Sequence, residues 1–222
     1  MSIVIHQLAH SPYCIPITRA LEALEIPFET REIVNSDRSE IIRLTNGSYY
    51  QVPLLVHDGA PIHESAGDSL DVAHYVDRTW ASGRLFPRSV EGLQRVIVPF
   101  IEGEIEGTTF KLVDPFYLRE IDDLVARTMT RRHKERKFGL GCVERWEAER
   151  PQLLAEAERL LTPFDLMLQE REYLLAKEPV YADFALYGVL GNMTHHGYNS
   201  LPSALPALAS WYGRMKEFVF TT

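Results

Sequence analysis

Residues 51–65 read Gln51-Val52-Pro53-Leu54-Leu55-Val56-His57-Asp58-Gly59-Ala60-Pro61-Ile62-His63-Glu64-Ser65. The apolar run from Val52 to Val56 has the length of a buried strand and is too short for a helix. Turn chemistry follows at His57-Asp58-Gly59-Ala60, because Asp-Gly takes the positive backbone angles of a tight hairpin. Pro61 to Glu64 then reads as a short returning strand. Ser65 is a natural helix N-cap, with Asp68 three residues on as in a capping box. Leu70, Ala73, Val76 and Trp80 follow along one helical face.

Working outward, Ile3-Val4-Ile5 is a β-branched run that reads as a buried strand. A turn at His10-Ser11-Pro12 precedes Ile17, Leu21 and Leu24 at helical spacing. Phe28 to Val34 reads as a second strand. Ser39 to Leu44 reads as a short helix stopped by Asn46-Gly47. The order βαβαββα calls for a partly parallel sheet with helices packed on it and an antiparallel hairpin at its end. Beyond Trp80 no strand pair is evident. Leu153, Ala157, Leu160, Phe164 and Leu168 recur at helical spacing behind Pro151, which suits a first turn. Ala182 to Val189 is apolar all round, as a buried helix requires. The expected architecture is a thioredoxin-like α/β unit at 1–80, a linker at 81–90 and an all-helical unit at 91–222.

The net charge of −8 argues against a nucleic-acid partner, which wants a basic face. Cys14 and Cys142 are the only cysteines, too few for a disulfide scaffold, so the expected location is the reducing cytoplasm. No signal peptide and no apolar stretch of membrane-spanning length is evident. The histidines, His195-His196 included, lack metal-ligand spacing, so no metal is expected.

Layout and motifs together resemble the cytosolic glutathione transferase superfamily. Three features carry the likeness: Ser11-Pro12-Tyr13-Cys14 after the first strand, Gln51-Val52-Pro53 at the third, and Glu64-Ser65 at the third helix. The resemblance implies that Ser11 touches the sulfur of glutathione where the first strand meets the first helix. An anion is favoured there by unpaired N–H groups, and a donated hydrogen bond favours the thiolate. Cys14 reads either as a small buried side chain or as a second thiol that forms a mixed disulfide with glutathione. The resemblance further implies a cis bond before Pro53, which lets the Val52 backbone pair with the cysteinyl part of the tripeptide. Gln51 is then expected to reach the glycyl carboxylate, and Glu64 and Ser65 the γ-glutamyl end.

Tyr13, Phe110, Phe116 and Tyr117 are candidates for the wall of a hydrophobic second-substrate pocket. The basic stretch Thr130 to Gly139 reads as a solvated helix surface or a face toward an anionic ligand. Residues 136–142 are similar to a segment of the fungal and bacterial etherase-like branch. Val180, where the family places Ser or Thr, cannot cap the following helix, which leaves Asp183 to do so. The function implied is a homodimeric detoxification enzyme: a thiolate activated by Ser11 attacks an electrophilic or ether carbon of a hydrophobic molecule. A non-catalytic carrier of hydrophobic ligands and a thiol–disulfide reductase using Cys14 are the alternatives.

Overall fold

The β-branched run near the N-terminus forms β1 (Ile3–Gln7), at the centre of a sheet with β2 (Glu29–Glu32), β3 (Leu54–His57) and β4 (Ala60–Ile62). The computed structural model describes residues 2–67 and 69–221. Strand order is β2-β1-β3-β4, with β1 and β2 parallel and the other pairs antiparallel. Ile5 stands opposite Leu55 and both are fully buried, which fixes the β1–β3 register. The β3–β4 return uses positive φ at Asp58 (48°) and Gly59 (84°), the geometry expected of Asp-Gly.

Helices α1 (Cys14–Ala23), α2 (Ser39–Leu44) and α3 (Asp71–Val76) complete the βαβαββα order. Pro16 sits in the first turn of α1, where its missing N–H would be unpaired in any case. Next come α4 (Glu91–Phe100), α5 (Glu106–Glu120), α6 (Leu124–Phe138), α7 (Cys142–Ala148), α8 (Arg150–Glu170), α9 (Tyr181–Thr194) and α10 (Pro206–Glu217). A π turn at Ile101–Ile105 joins α4 to α5 just after Pro99, whose ring removes a backbone donor from the ladder.

One apolar cluster runs from Ile3 and Leu21 on the sheet side to Phe184 and Trp211 on the helical side. The connecting segment takes part in it. Leu85 is fully buried; its N–H donates to Asp77, and its carbonyl accepts from Gln94 Nε2 and Tyr181 N–H. Asp183 is buried at the start of α9. It accepts from Leu174 N–H at 2.9 Å, Val180 N–H at 3.1 Å and Trp211 Nε1 at 3.0 Å. Val180 supplies no side-chain cap, so the acid carries that helix start. Burial pushes the Asp183 carboxyl up to about 6 against the pull of these donors.

The helix α9 also holds the turn before α1. A Cβ added at Gly188 would meet Pro16 Cγ and Cδ at 2.5 Å and Pro12 O at 2.6 Å. One turn on, Asn192 Nδ2 donates to His10 O at 2.6 Å. Gly188→Ala is expected to cost about 1–3 kcal/mol by overpacking and to push residues 12–16 off α9. Urea unfolding and a crystal structure of the variant check both effects. Asp183→Ala strands three buried donors and is expected to lower unfolding free energy by about 3–5 kcal/mol, read from the same urea midpoints.

Candidate functional site

A cavity of about 910 Å³ opens between the loops at one end of the sheet and the helices α4, α5 and α6. The sheet side contributes Tyr13 and Ile17 from the start of α1, Ser48 to Pro53, and residues between Glu64 and Leu70. The helical side contributes Val98, Glu102, Glu106 and Phe110, then Lys134 and Phe138 from α6.

Local structure sets the sheet-side wall. Gly47 (φ 81°) ends α2 and donates to Ile42 O at 2.8 Å. The buried Thr45 hydroxyl accepts from Tyr49 N–H at 3.2 Å and donates to Ile41 O at 2.8 Å, which anchors the segment leading to Gln51. The Val52–Pro53 peptide is cis. Gln51, Val52, Pro53, Glu64 and Ser65 all line the cavity.

The start of the third helix differs from the sequence expectation. α3 begins at Asp71, not at Ser65, and Ser65 does not cap it. Glu64 reaches across the intervening loop to take the capping role. Its Oε2 accepts from Asp71 N–H at 2.6 Å and from Ser69 Oγ at 2.8 Å, and its Oε1 accepts from Val72 N–H at 3.4 Å. Ser65 N–H donates instead to Asp71 Oδ2 at 2.8 Å and Ser69 Oγ at 3.0 Å. Burial raises the Glu64 carboxyl above the ordinary carboxylate range despite these donors. Asp68, the expected partner in the capping box, lies outside the described residues. Ser69 was missed in the sequence, although Asp68-Ser69 repeats the acid–serine pair four residues after Glu64-Ser65.

Ser11 and Cys14 do not line the cavity. Ser11 is nearly buried; its hydroxyl accepts from Tyr13 N–H at 3.3 Å and hydrogen-bonds to the Cys14 thiol. Cys14 is fully buried, and burial pushes its thiol up to about 12. Tyr13, by contrast, is 39% exposed and stands on the wall. Burial of its phenol, with the carboxylates of Glu106 and Glu102 next in weight, holds it above the ordinary tyrosine range, so it is a neutral donor.

Two of the four aromatic residues expected on the wall are elsewhere. Tyr13 and Phe110 line the cavity. Phe116 faces a separate recess, stacked on Tyr198 at 5.4 Å with the Arg119 and Arg150 guanidinium groups over its ring. Tyr117 packs on His10 at 4.3 Å. Phe116 is turned about 120° around α5 from Phe110, and Tyr117, on Phe110's side of the helix, lies about two turns further along, where it meets His10 instead. The basic stretch is not simply a solvated surface: His133, Lys134 and Lys137 reach the cavity, and Lys134 Nζ pairs with Asp114 at 2.6 Å.

Arg38 also escaped sequence reading. Its Nε donates to Asn35 O at 3.1 Å, while Nη1 is buried with no hydrogen-bond partner among the described residues. Tyr49 and Tyr50 are near enough to act on its charge. The turn Asn35-Ser36-Asp37 ahead of α2 was the available sign that this side chain would be held. No group of acids, histidines and cysteines able to hold a metal occurs among the described residues, and none of their helices is long and apolar enough to cross a membrane.

The cavity thus joins a backbone edge at Val52, a helix start with its own carboxylate, a neutral phenol and an unpartnered guanidinium donor nearby. That set fits a small zwitterionic peptide along one side and a second molecule along the other. Known proteins bear on the reading. The family described as glutathione S-transferase, N-terminal domain, matches residues 5–82, and its C-terminal counterpart matches residues 143–218. "Probable glutathione S-transferase GSTU6" of Oryza sativa subsp. japonica is 25% identical over 93% of this chain and 80% of its own length. Glutathione S-transferase U9 of Arabidopsis thaliana is 32% identical over 36% of this chain and 32% of its own length. In fold, the glutathione transferase GSTFuA3 of Phanerochaete chrysosporium superposes with a TM-score of 0.81 at 14% identity, covering 100% of this chain and 99% of its own. A glutathione S-transferase of Ceriporiopsis subvermispora in complex with glutathione gives 0.80 at 15% identity with the same coverage. With both halves matched in order and the fold shared end to end, the chain belongs to the cytosolic glutathione transferase superfamily.

Proposed function

We propose that this protein is a glutathione transferase that holds glutathione along the Val52 edge and delivers its thiolate to a second molecule in the same cavity. The observation that carries the reading is the single cavity wall that brings together Gln51-Val52-Pro53, Tyr13 and Glu64-Ser65. In this reading the cysteinyl backbone pairs with Val52 and the γ-glutamyl end meets Glu64, Ser65 and Ser69. Gln51 and Arg38 take the glycyl carboxylate, Arg38 through a donor that has no hydrogen-bond partner among the described residues. The sulfur then lies at the front of α1. A thiol hydrogen-bonded there ionises more readily, and each unit of pKa is worth about 1.4 kcal/mol.

Ser11 is the proposed donor, after its hydroxyl turns from Tyr13 N–H toward the sulfur. The exposure of Tyr13 favours a second reading in which its phenol donates instead. Burial of Cys14 speaks against the reductase alternative. In the same proposal the sheet side, 1–80, binds glutathione and the helical side, 91–222, shapes the second site across the connection at 81–90. The enzyme works in the cytoplasm as a homodimer, to which the exposed Leu93 and Val96 on α4 would contribute.

Calorimetry with millimolar glutathione should show saturable heat. Conjugation of a generic nitroaryl chloride should fall about tenfold or more in Ser11→Ala, with the pH–rate curve moved to higher pH. If Tyr13→Phe shows that shift and Ser11→Ala does not, the phenol is the donor. Binding without turnover in every form would make the protein a carrier of hydrophobic ligands, and no heat at all would end the glutathione reading. Cys14 is expected to resist alkylation in the folded protein at pH 8, where a thiol at about 12 is ionised to only about one part in ten thousand. Mass spectrometry after iodoacetamide treatment, with and without urea, tests this.

A further inference from the structure

The segment Ile101-Glu102-Gly103-Glu104-Ile105-Glu106 alternates buried and acidic positions across the π turn that leads into α5. Ile101 and Ile105 are fully buried in the core and fix the rotation of the segment. The residue after each, Glu102 and then Glu106, consequently projects into the cavity, while Glu104 lies outside in solvent. Gly103 lines the cavity with no side chain and leaves the space around the first acid open.

Most other charged groups on this wall already have partners. Arg95 pairs with Glu91 at 2.7 Å, Lys134 with Asp114 at 2.6 Å, and Glu64 with the start of α3. Lys137 is exposed to solvent with its ammonium over the Phe138 ring. Glu102 and Glu106 are only half exposed, and neither makes a hydrogen bond or an ion pair among the described residues. Nearby walls are aromatic: Tyr13 and Tyr181, with Phe110 beyond them already facing the Lys134 and Lys111 ammonium groups at 5.0 and 5.8 Å. Unpartnered carboxylates beside ring faces are the chemistry that receives an ammonium or amidinium group, by charge-assisted hydrogen bonds and by cation–π attraction.

Resting on the glutathione reading above, we propose that the second substrate is an electrophile bearing a cationic group, which Glu102 and Glu106 hold while its reactive carbon faces Tyr13. The pair selects against anionic electrophiles by the same charge. Burial first raises both carboxyls to about 7. Glu64 and Glu106 add to this for Glu102, while for Glu106 Asp114 adds and Lys134, Lys137 and Lys111 oppose. The sign follows. Above pH 7 the acids are ionised and attract a cation; below it they are protonated and the preference fades.

The test compares three nitroaryl chlorides that carry, on a methylene spacer, a trimethylammonium group, a neutral tert-butyl group or a carboxylate. Each rate is divided by that of the same compound with free glutathione. The wild-type ratio of kcat/KM for ammonium over tert-butyl should be about tenfold or more at pH 8 and clearly smaller at pH 6, with the carboxylate compound poorest. In Glu102→Gln/Glu106→Gln the ratio should fall to within about twofold of one, whereas the solvent-facing Glu104→Gln should keep it. Thermal midpoints report folding, and the single variants stand in if the double one is unstable. A wild-type ratio near one, a ratio retained in the double variant, or an effect confined to KM for glutathione would each overturn the proposal. The last would mean that the acids serve the tripeptide's amino group. If none of the three compounds is conjugated, the transferase reading fails, while glutathione binding is judged by its own heat. The cation site is then judged by calorimetry with benzyltrimethylammonium, where equal binding by wild type and double variant would overturn it.

Discussion

The close approach of α9 to the front of α1 is the constraint on which the site depends. Gly188 has no side chain where Pro12 O and the Pro16 ring come closest, and Asn192 ties down His10 O. Residues 10–16 are therefore fixed by a helix more than 170 positions away in sequence. The same helix is held at its start by Asp183, whose three donors come from the preceding loop, its own first turn and α10. Packing in the helical half consequently decides where Ser11, Tyr13 and Cys14 stand relative to the cavity, and the shared core transmits any shift between halves.

Burial acts on every acid and thiol of this region, but its outcome depends on where the donors are. Asp183 is surrounded by donors of the protein itself, so its negative end is spent on holding the fold. Glu64 is in the same position at the start of α3. Cys14 has the Leu8 backbone, the Ser11 hydroxyl and the Arg38 charge against burial, which outweighs them, and its thiol stays protonated. Glu102 and Glu106 have no hydrogen-bond donor among the described residues, which leaves them turned toward the cavity. Internal donors thus separate the acids that build the molecule from those turned toward its contents.

The sheet was legible because β1 is a β-branched run, β3 is a short apolar run, and Asn46-Gly47 and Asp58-Gly59 have backbone preferences that are local. The helical half was legible from apolar spacing at Leu153 to Leu168 and Ala182 to Val189. Local pattern failed at the start of the third helix. Ser65 reads as the cap, yet the Glu64 carboxylate reaches seven residues forward to Asp71 N–H and takes that role. Rotation and depth along α5 were equally out of reach: Phe110, Phe116 and Tyr117 look alike in sequence, yet of the three only Phe110 meets the cavity. The acids of residues 102–106 could not be sorted without knowing that Ile101 and Ile105 face the core. Arg38 could be flagged only by the Asn35-Ser36-Asp37 turn before it; what marks it in the structure is a buried nitrogen without a hydrogen-bond partner among the described residues.

The loop from Ser65 to Leu70 changes how the two ends of a bound tripeptide would be received in the reading proposed above. Asp71 and Val72 N–H, the donors at the front of α3, already serve Glu64. A γ-glutamyl carboxylate arriving there competes with a carboxylate tethered to the chain, present at a high effective concentration. That end of the ligand exchanges one set of hydrogen bonds for another and gains little net free energy. At the other end Arg38 Nη1 has no hydrogen bond to give up among the described residues, so in that reading a glycyl carboxylate reaching it would relieve a buried unsatisfied donor and form a charge-assisted bond. On that reading the binding energy for glutathione would concentrate at the glycyl end and along the Val52 edge, and the γ-glutamyl end would act mainly through fit.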